Sequence, residues 1–539
     1  MMTIEGAMMT IERFAVPLAI SLLATACQPA DATPTPEASA MARSTSPRRG
    51  GDPGGEAQVP TPGDDTPHRQ VVIEPGTLTV MRGTQVEYVP YELGTLYVPE
   101  NRSDPHSRVI PVGFARVRSP RATGAPPTFH LPGGPGNTII DRLQGPGNES
   151  LLQYLSVGDV VVVEQRGYTL RGEKLLSDYQ AAPLPLDRPT SLADLNQSAK
   201  DLAQASIAQY TGTGVDLSGY TILECADDVD DLRRALGYRT ISLVGQSFGS
   251  QLSFAIMRRH PEIVQRALLS GVEPLNNGYD MPSHIFAALQ RMAWEIDQDP
   301  TFRPYLPDGG LMAAVDQIFA RLRIHPVSVH VTDLRTQQTF TVVLGVEDFQ
   351  LFLNLAADHP QGIIAIYQGD YTAWASQIGL LRLAGGAASR NILISWLIDS
   401  STGVTPMREH QLRTDPAISF WGTWSFDPFI ASAPIWPTQD VGDAFRTPVP
   451  SATPVLFVAG DWDTSTPIEN TEGILPYFRN GAALLVHRGT HGARSDLERD
   501  RPDVMAPILE FLRTGQRSQL PTSVDLPAPW TNPGPPPAP

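Results

Sequence analysis

The chain has 539 residues, 41% of them hydrophobic, with a formal charge of -17 and a pI near 5.1. That is enough chain and apolar content for a large globular core carrying an insertion. The acidic balance, with no basic run beyond pairs such as Arg48-Arg49, argues against a nucleic-acid partner, which needs clustered Lys and Arg.

In chain order, Arg13 precedes an apolar stretch from Phe14 to Ala24 that is too short for a stable membrane span. It reads as a signal peptide over residues 1–27. The segment ends Leu22-Leu23-Ala24-Thr25-Ala26-Cys27, which resembles a bacterial lipobox, so Cys27 is the expected lipidation site. Ala24 stands where leucine is commoner, and cleavage after small residues without lipidation is the alternative. Residues 28–75, rich in Pro, Thr, Ala, Ser and Gly, are expected to form a disordered tether. The expected location is therefore extracytoplasmic, secreted or held to the cell envelope by the lipid anchor alone.

Segments of alternating polarity come next, Leu78 to Met81, Val86 to Tyr91 and Val109 to Val117. They suit antiparallel strands at a sheet edge. Continuous apolar runs follow at Thr128 to Leu131, Asp159 to Val163, Ile241 to Val244, Ala267 to Leu269, Val455 to Val458 and Ala483 to Val486. With helical stretches between several of them, these predict a mostly parallel, doubly wound α/β sheet with helices on both faces. The core is placed at 76–272 and 447–515. Between them, residues 273–446 show amphipathic helical spacing, as in Leu311 to Leu322 and Phe349 to Ala357, and a hairpin-like stretch around Val329 to Val343. This predicts an inserted, mainly helical cap. A Pro-rich tail from 516 to 539 is expected to be unstructured.

Gly245-Gln246-Ser247-Phe248-Gly249 directly follows the run Ile241 to Val244. A serine on a sharp strand-to-helix turn needs small flanking residues, and the apolar spacing after it places Ser247 at a helix start. Ser247 is thus the expected nucleophile. A serine hydroxyl needs a base, and the base needs a carboxylate. The stretch after Val458, Ala459-Gly460-Asp461-Trp462-Asp463, provides Asp463 as the chosen acid with Asp461 as rival. After Val486, the segment His487-Arg488-Gly489-Thr490-His491-Gly492 provides His491 as the expected base, with His487 still at the strand end. Backbone donors for a developing oxyanion are expected from Phe248 and from Gly134 in the turn Pro132-Gly133-Gly134-Pro135-Gly136.

Two cysteines, Cys27 and Cys225, show no zinc-ligand spacing with histidine, and Cys225 reads as a buried structural thiol. Neither metal nor cofactor is expected.

The Pro132 to Gly136 turn, Glu164-Gln165-Arg166-Gly167, the Ser247 pentapeptide, Ser270-Gly271-Val272-Glu273-Pro274 and Gly460-x-x-Asp463-x-x-Thr466-Pro467 together resemble the proline iminopeptidase and tripeptidyl aminopeptidase-like branch of the α/β-hydrolases. The resemblance spans roughly Tyr88 to Leu512. It implies an α/β-hydrolase fold and a cofactor-free serine peptidase releasing residues from the free N-terminus of short peptides. Glu164 departs from the usual aspartate, and the cysteines that secreted relatives often carry are missing near Asp399 and Trp436. An amino terminus calls for a shielded carboxylate. Glu273 is the expected substrate-binding residue, with Glu347 and Asp348 as further candidates. An esterase or lactonase acting on a small ester, and a non-catalytic surface binding lipoprotein, are the alternatives.

Overall fold

The computed structural model describes residues 70–332, 337, 339–356, 360–528 and 530. The expected signal peptide, Cys27 and the tether up to residue 69 lie outside the described residues, as do residues 529 and 531–539 of the Pro-rich end.

Ten strands form one sheet in the order β1 (Val71–Arg82), β2 (Gln85–Pro99), β3 (Val109–Val117), β5 (Val160–Val163), β4 (Thr128–Leu131), β6 (Ile241–Gln246), β7 (Val264–Ser270), β10 (Val455–Gly460), β11 (Gly481–His487) and β12 (Ser523–Asp525). The first three are antiparallel to their neighbours. Strands β5, β4, β6, β7, β10, β11 and β12 run parallel. The apolar runs predicted as parallel strands all fall on this central part.

Those runs lack polar alternation because both faces are covered. Successive residues feed opposite cores: Val161, Leu243, Leu269 and Phe457 join one apolar cluster, while Val160, Val162, Val244, Leu268, Leu456 and Val458 join the other. On one face the helices Ile222–Ala235 and Phe248–Arg259 pack over the first cluster, the former begun by Thr221, whose side chain accepts from the Glu224 N-H. On the opposite face lies the helix Pro502–Thr514, whose Val504, Ile508, Phe511 and Leu512 join the second cluster.

Between β7 and β10 the described residues form helices, the longest being Pro282–Gln298 and Gly310–Ile324, and one two-stranded hairpin, β8 (Val327–Thr332) with β9 (Thr339–Leu344). This insertion has an apolar core of its own, including Leu289, Phe319, Phe349, Trp374 and Trp421. Trp462, from the turn after β10, is buried in it.

Both expected boundaries of the folded part need correction. Strand β1 begins at Val71 and so takes in residues counted to the tether; its pairing with β2 runs the full length of the strand. At the other end, the segment expected to be unstructured adds β12 to the sheet edge, buries Val524 and Leu526, and stacks Trp530 on Trp462 at 4.7 Å. Proline-rich composition hid a few apolar side chains that had a sheet edge within reach.

Candidate functional site

β6 ends at Gln246 and the next helix starts at Phe248, leaving Ser247 alone on the turn with φ 57° and ψ -130°. A non-glycine residue there costs roughly 1–3 kcal/mol, so surrounding contacts must hold it. The Ser247 N-H donates to the carbonyls of Ser270 (3.1 Å) and Gly271 (3.0 Å), tying the turn to the end of β7. The flanking glycines answer to close backbone approach. A Cβ on Gly249 would stand 2.7 Å from the Leu131 carbonyl oxygen, and one on Gly245 would overlap the Gly249 carbonyl.

The glycine-rich turn after β4 lies beside the serine: a Cβ on Gly133 would be 3.6 Å from that of Ser247. Gln165, just past β5, fixes its shape. Its Oε1 accepts from the Gly136 N-H at 2.9 Å and its Nε2 donates to the Gly133 carbonyl at 3.1 Å. Gly134 and Gly136 take φ of 108° and 99°, which side-chain-bearing residues avoid. Phe248 is the first residue of its helix, so its N-H has no carbonyl one turn earlier. The two expected oxyanion donors thus come from adjoining segments.

The carboxyl ends of β10 and β11 bring Asp463 and His491 together. His491 Nδ1 lies 3.1 Å from Asp463 Oδ2, and the Thr466 hydroxyl donates to that same oxygen at 2.7 Å. Asp463 Oδ1 accepts from the N-H groups of Ser465 and Thr466, both at 2.9 Å. Burial alone would push the Asp463 carboxyl up, but the His491 charge and the hydrogen bonds from His491 and Thr466 hold it below the usual carboxylate range. The His491 ring packs on Gly271, where a Cβ would stand 2.9 Å from Cε1. Because the Gly271 carbonyl also binds the Ser247 N-H, His491 and Ser247 flank one residue.

The rival pair is tied up elsewhere. Asp461 Oδ2 lies 2.6 Å from His487 Nδ1, its Oδ1 accepts from the Arg488 N-H, and His487 Nε2 faces Glu295 of the insertion at 3.3 Å. Burial lowers the His487 pKa and the Asp461 hydrogen bond and charge raise it further, leaving it above the ordinary value.

Sequence reasoning missed Gln246. Its Nε2 donates to the His491 carbonyl at 2.8 Å and its Oε1 accepts from Arg494 at 3.3 Å. Arg494 also binds Ser270 Oγ (2.9 Å) and Glu498 (2.5 Å), and Tyr154 donates to Glu498 at 2.7 Å. An amide inside the pentapeptide was the one visible signal.

Glu273, Asp280 and Asp399 are each partly exposed, yet burial and then the charges of Asp280 and Asp399 raise the Glu273 pKa well above the usual range. Asp280 is pushed up to about 7 by burial, against a 2.6 Å hydrogen bond from Asn470; it is close enough to feel the charges of Asp463 and His491. Asp399 is likewise pushed up to about 7 by burial, with Arg390 as the opposing influence. All three keep some solvent contact, and Asp280 and Asp399 lie near enough to Glu273 for their charges to act on it. Asp280 and Asp399 gave no periodic or motif signal, since they lie outside any strand end in the sequence pattern. Two earlier candidates do not join them. Asp348 is buried against Arg382, Thr190 and the Gly345 N-H, while Glu347 is exposed.

Cys225 is buried and free, with burial pushing its thiol up to about 12. Among the described residues no His, Cys, Asp and Glu group is placed to hold a metal ion, and no helix is long and apolar enough to cross a membrane.

A sheet of this order, with a serine elbow after β6 and an acid and histidine after later strands, is the architecture of the α/β-hydrolases. The model of the alpha/beta hydrolase fold family matches residues 159–474, more than half of the chain, and the protein belongs to that family. Among solved structures, a thermophilic esterase from Thermogutta terrifontis is 15% identical, with 78% of this chain and 98% of that chain covered and a TM-score of 0.30. An esterase from Exiguobacterium antarcticum is 12% identical, covering 78% of this chain and 99% of its own at a TM-score of 0.33. A serine hydrolase from Cycloclasticus zankles is 10% identical, covering 82% and 100% at a TM-score of 0.34. No curated protein matches the chain.

Proposed function

We propose that this α/β-hydrolase is a serine aminopeptidase acting on short peptides with a free N-terminus. Ser247 attacks the scissile carbonyl, His491 takes its proton and later gives it to the leaving amine, and Asp463 orients His491 and stabilises the imidazolium. The N-H groups of Phe248 and Gly134 stabilise the oxyanion of the tetrahedral intermediate. Water then hydrolyses the acyl-enzyme by the same relay. Thr466, bonded to the Asp463 oxygen that faces the histidine, helps fix the acid.

The observation that carries the substrate class is the cluster of partly exposed carboxylates Glu273, Asp280 and Asp399. Three acids of which two raise the charging cost of the third are poorly arranged for the empty protein and well arranged to receive an ammonium group. Its link to the reacting groups is Asp280, which senses Asp463 and His491. We further propose that the enzyme works outside the cytoplasm, held by a lipid on Cys27 and joined to it by the Pro-rich tether.

The test compares free-amine aminoacyl and tripeptidyl chromogenic amides, their N-acetylated counterparts and simple esters, with wild type and Ser247→Ala. Turnover of the free-amine amides that Ser247→Ala abolishes and acetylation suppresses is expected. Preference for acetylated substrates or esters would replace the peptidase by an esterase, and unchanged turnover in Ser247→Ala would remove the nucleophile.

A further inference from the structure

Arg390 stands just ahead of the segment that covers the glycine-rich turn. Ile392, two residues on, packs so closely on Gly136 that a Cβ there would come within 2.8 Å of its Cγ2. That segment is fixed to the core: the Leu393 N-H donates to the Leu175 carbonyl (2.9 Å) and the Asn391 carbonyl accepts from the Ser177 N-H (2.8 Å). Arg390 itself is anchored by its carbonyl, which accepts from Trp396 Nε1 at 3.0 Å. Its guanidinium lies 5.6 Å from the centre of the Phe429 ring, and Phe429 stacks on Trp396 at 4.5 Å. An aromatic face orients a guanidinium while leaving its N-H fork unspent.

Three buried arginines of this fold spend theirs on carboxylates. Arg166 binds Asp228 at 2.6 Å, Arg494 binds Glu498 at 2.5 Å, and Arg382 binds Asp348. Arg390 has no side-chain hydrogen bond and no ion pair among the described residues. It is nonetheless exposed to solvent while surrounded by enough protein that burial lowers its pKa, with only the nearby Asp399 charge opposing. It sits two residues from the side chain that covers Gly136, within range of the Asp399 charge, with five donors available.

We propose that Arg390 is the receptor for a carboxylate of the substrate, an acidic side chain within the released N-terminal segment, whose ammonium group is held by the neighbouring Glu273 and Asp399. The assignment to a peptide side chain rests on the aminopeptidase reading; the affinity of Arg390 for a carboxylate does not. A planar fork over an aromatic ring fits a carboxylate in bidentate fashion, and the amide isostere would leave those charged donors partly unpaired.

The test measures kcat/KM for free-amine chromogenic amides carrying Glu or Gln at each position of the acyl segment, in wild type, Arg390→Met and Arg390→Lys, with thermal melts to establish folding. Wild type is expected to prefer Glu over Gln about tenfold or more at one position, the scale of one charge-assisted contact. The preference should vanish in Arg390→Met and be partly kept in Arg390→Lys. No preference in wild type, or one that survives in Arg390→Met, overturns the proposal. If no free-amine amide is cleaved, the aminopeptidase reading has failed by itself. Competition against fluorophosphonate labelling of the wild-type enzyme then decides: glutarate must protect better than glutaramide, and equal protection overturns the role of Arg390.

Discussion

Gln246 donates from Nε2 to the main-chain carbonyl of His491 at 2.8 Å, so the residue preceding the serine carries the loop that bears the histidine. Arg494, fastened to Ser270 and Glu498, steadies the other end of that amide. The serine turn and the histidine loop are thereby fixed to one another without engaging the side chain of Ser247 or His491.

Gln246→Ala should lower kcat about fivefold with KM changed little, since one positioning hydrogen bond is worth about 1 kcal/mol. Steady-state kinetics check this, and the rate of fluorophosphonate labelling should fall in parallel. A rise in KM at constant kcat would show that Gln246 serves substrate binding instead.

The two histidines should separate cleanly. His491→Ala is expected to abolish turnover, whereas His487→Gln should keep most of it, because His487 is engaged with Asp461 and Glu295. His487 is partly exposed, so losing its ion pairs should cost about 1 kcal/mol or less. With its pKa raised, that contribution is present below the ordinary histidine range and lost as pH rises through the folded-state value. Melting curves of the two proteins at pH 6 and pH 8.5 should therefore differ more at the lower pH.

A third expectation concerns pH and substrate. Asp280 and Asp399 have pKa values near 7, and Glu273 lies well above its ordinary value, so carboxylates able to hold an ammonium group are gained as pH rises through about 7. Arg390 and Arg408 oppose these shifts. The ratio of kcat/KM for a free-amine amide to that for its acetylated analogue should climb across this range, cancelling the histidine ionisation common to both. For stability the sign is opposite. Acids with raised folded-state pKa values contribute stability below about pH 4, and it is lost as pH rises through about 7. Asp280→Asn and Asp399→Asn should flatten both trends.

Gly249→Ala should destabilise the fold by about 1–3 kcal/mol, the usual cost of overpacking, because the added Cβ meets the carbonyls of Leu131 and Pro132 at 2.7 and 3.0 Å. Neither oxygen belongs to a flexible side chain. Thermal denaturation measures the loss, and an unchanged melting temperature would contradict the close approach.

What the sequence made legible was what has a short-range signature. Buried strands such as Val160 to Val163 carry their two-faced burial in four consecutive valines. The serine turn carries its backbone crowding in two glycines, and the spacing from β10 and β11 brought out Asp463 and His491. The pairing of Asp461 with His487 was not readable, because both carboxylates follow the same strand and only the fold gives each its own histidine. The cluster of carboxylates with Arg390 was out of reach for another reason. Glu273 and Asp280 lie more than 100 residues from Arg390 and Asp399, and the insertion brings the two pairs together through packing that leaves no periodic trace. Strand β12 and Trp530 were masked by proline-rich composition around a few apolar residues.

The most direct test is a digest of a mixed peptide library, half of it N-acetylated, by wild type and by Ser247→Ala, read by mass spectrometry. Shortening of the free-amine peptides from their N-termini by wild type, with acetylated peptides intact and no product from Ser247→Ala, is the predicted result. Cleavage of acetylated peptides at equal rates, cleavage from the C-terminus, or products persisting in Ser247→Ala would contradict it.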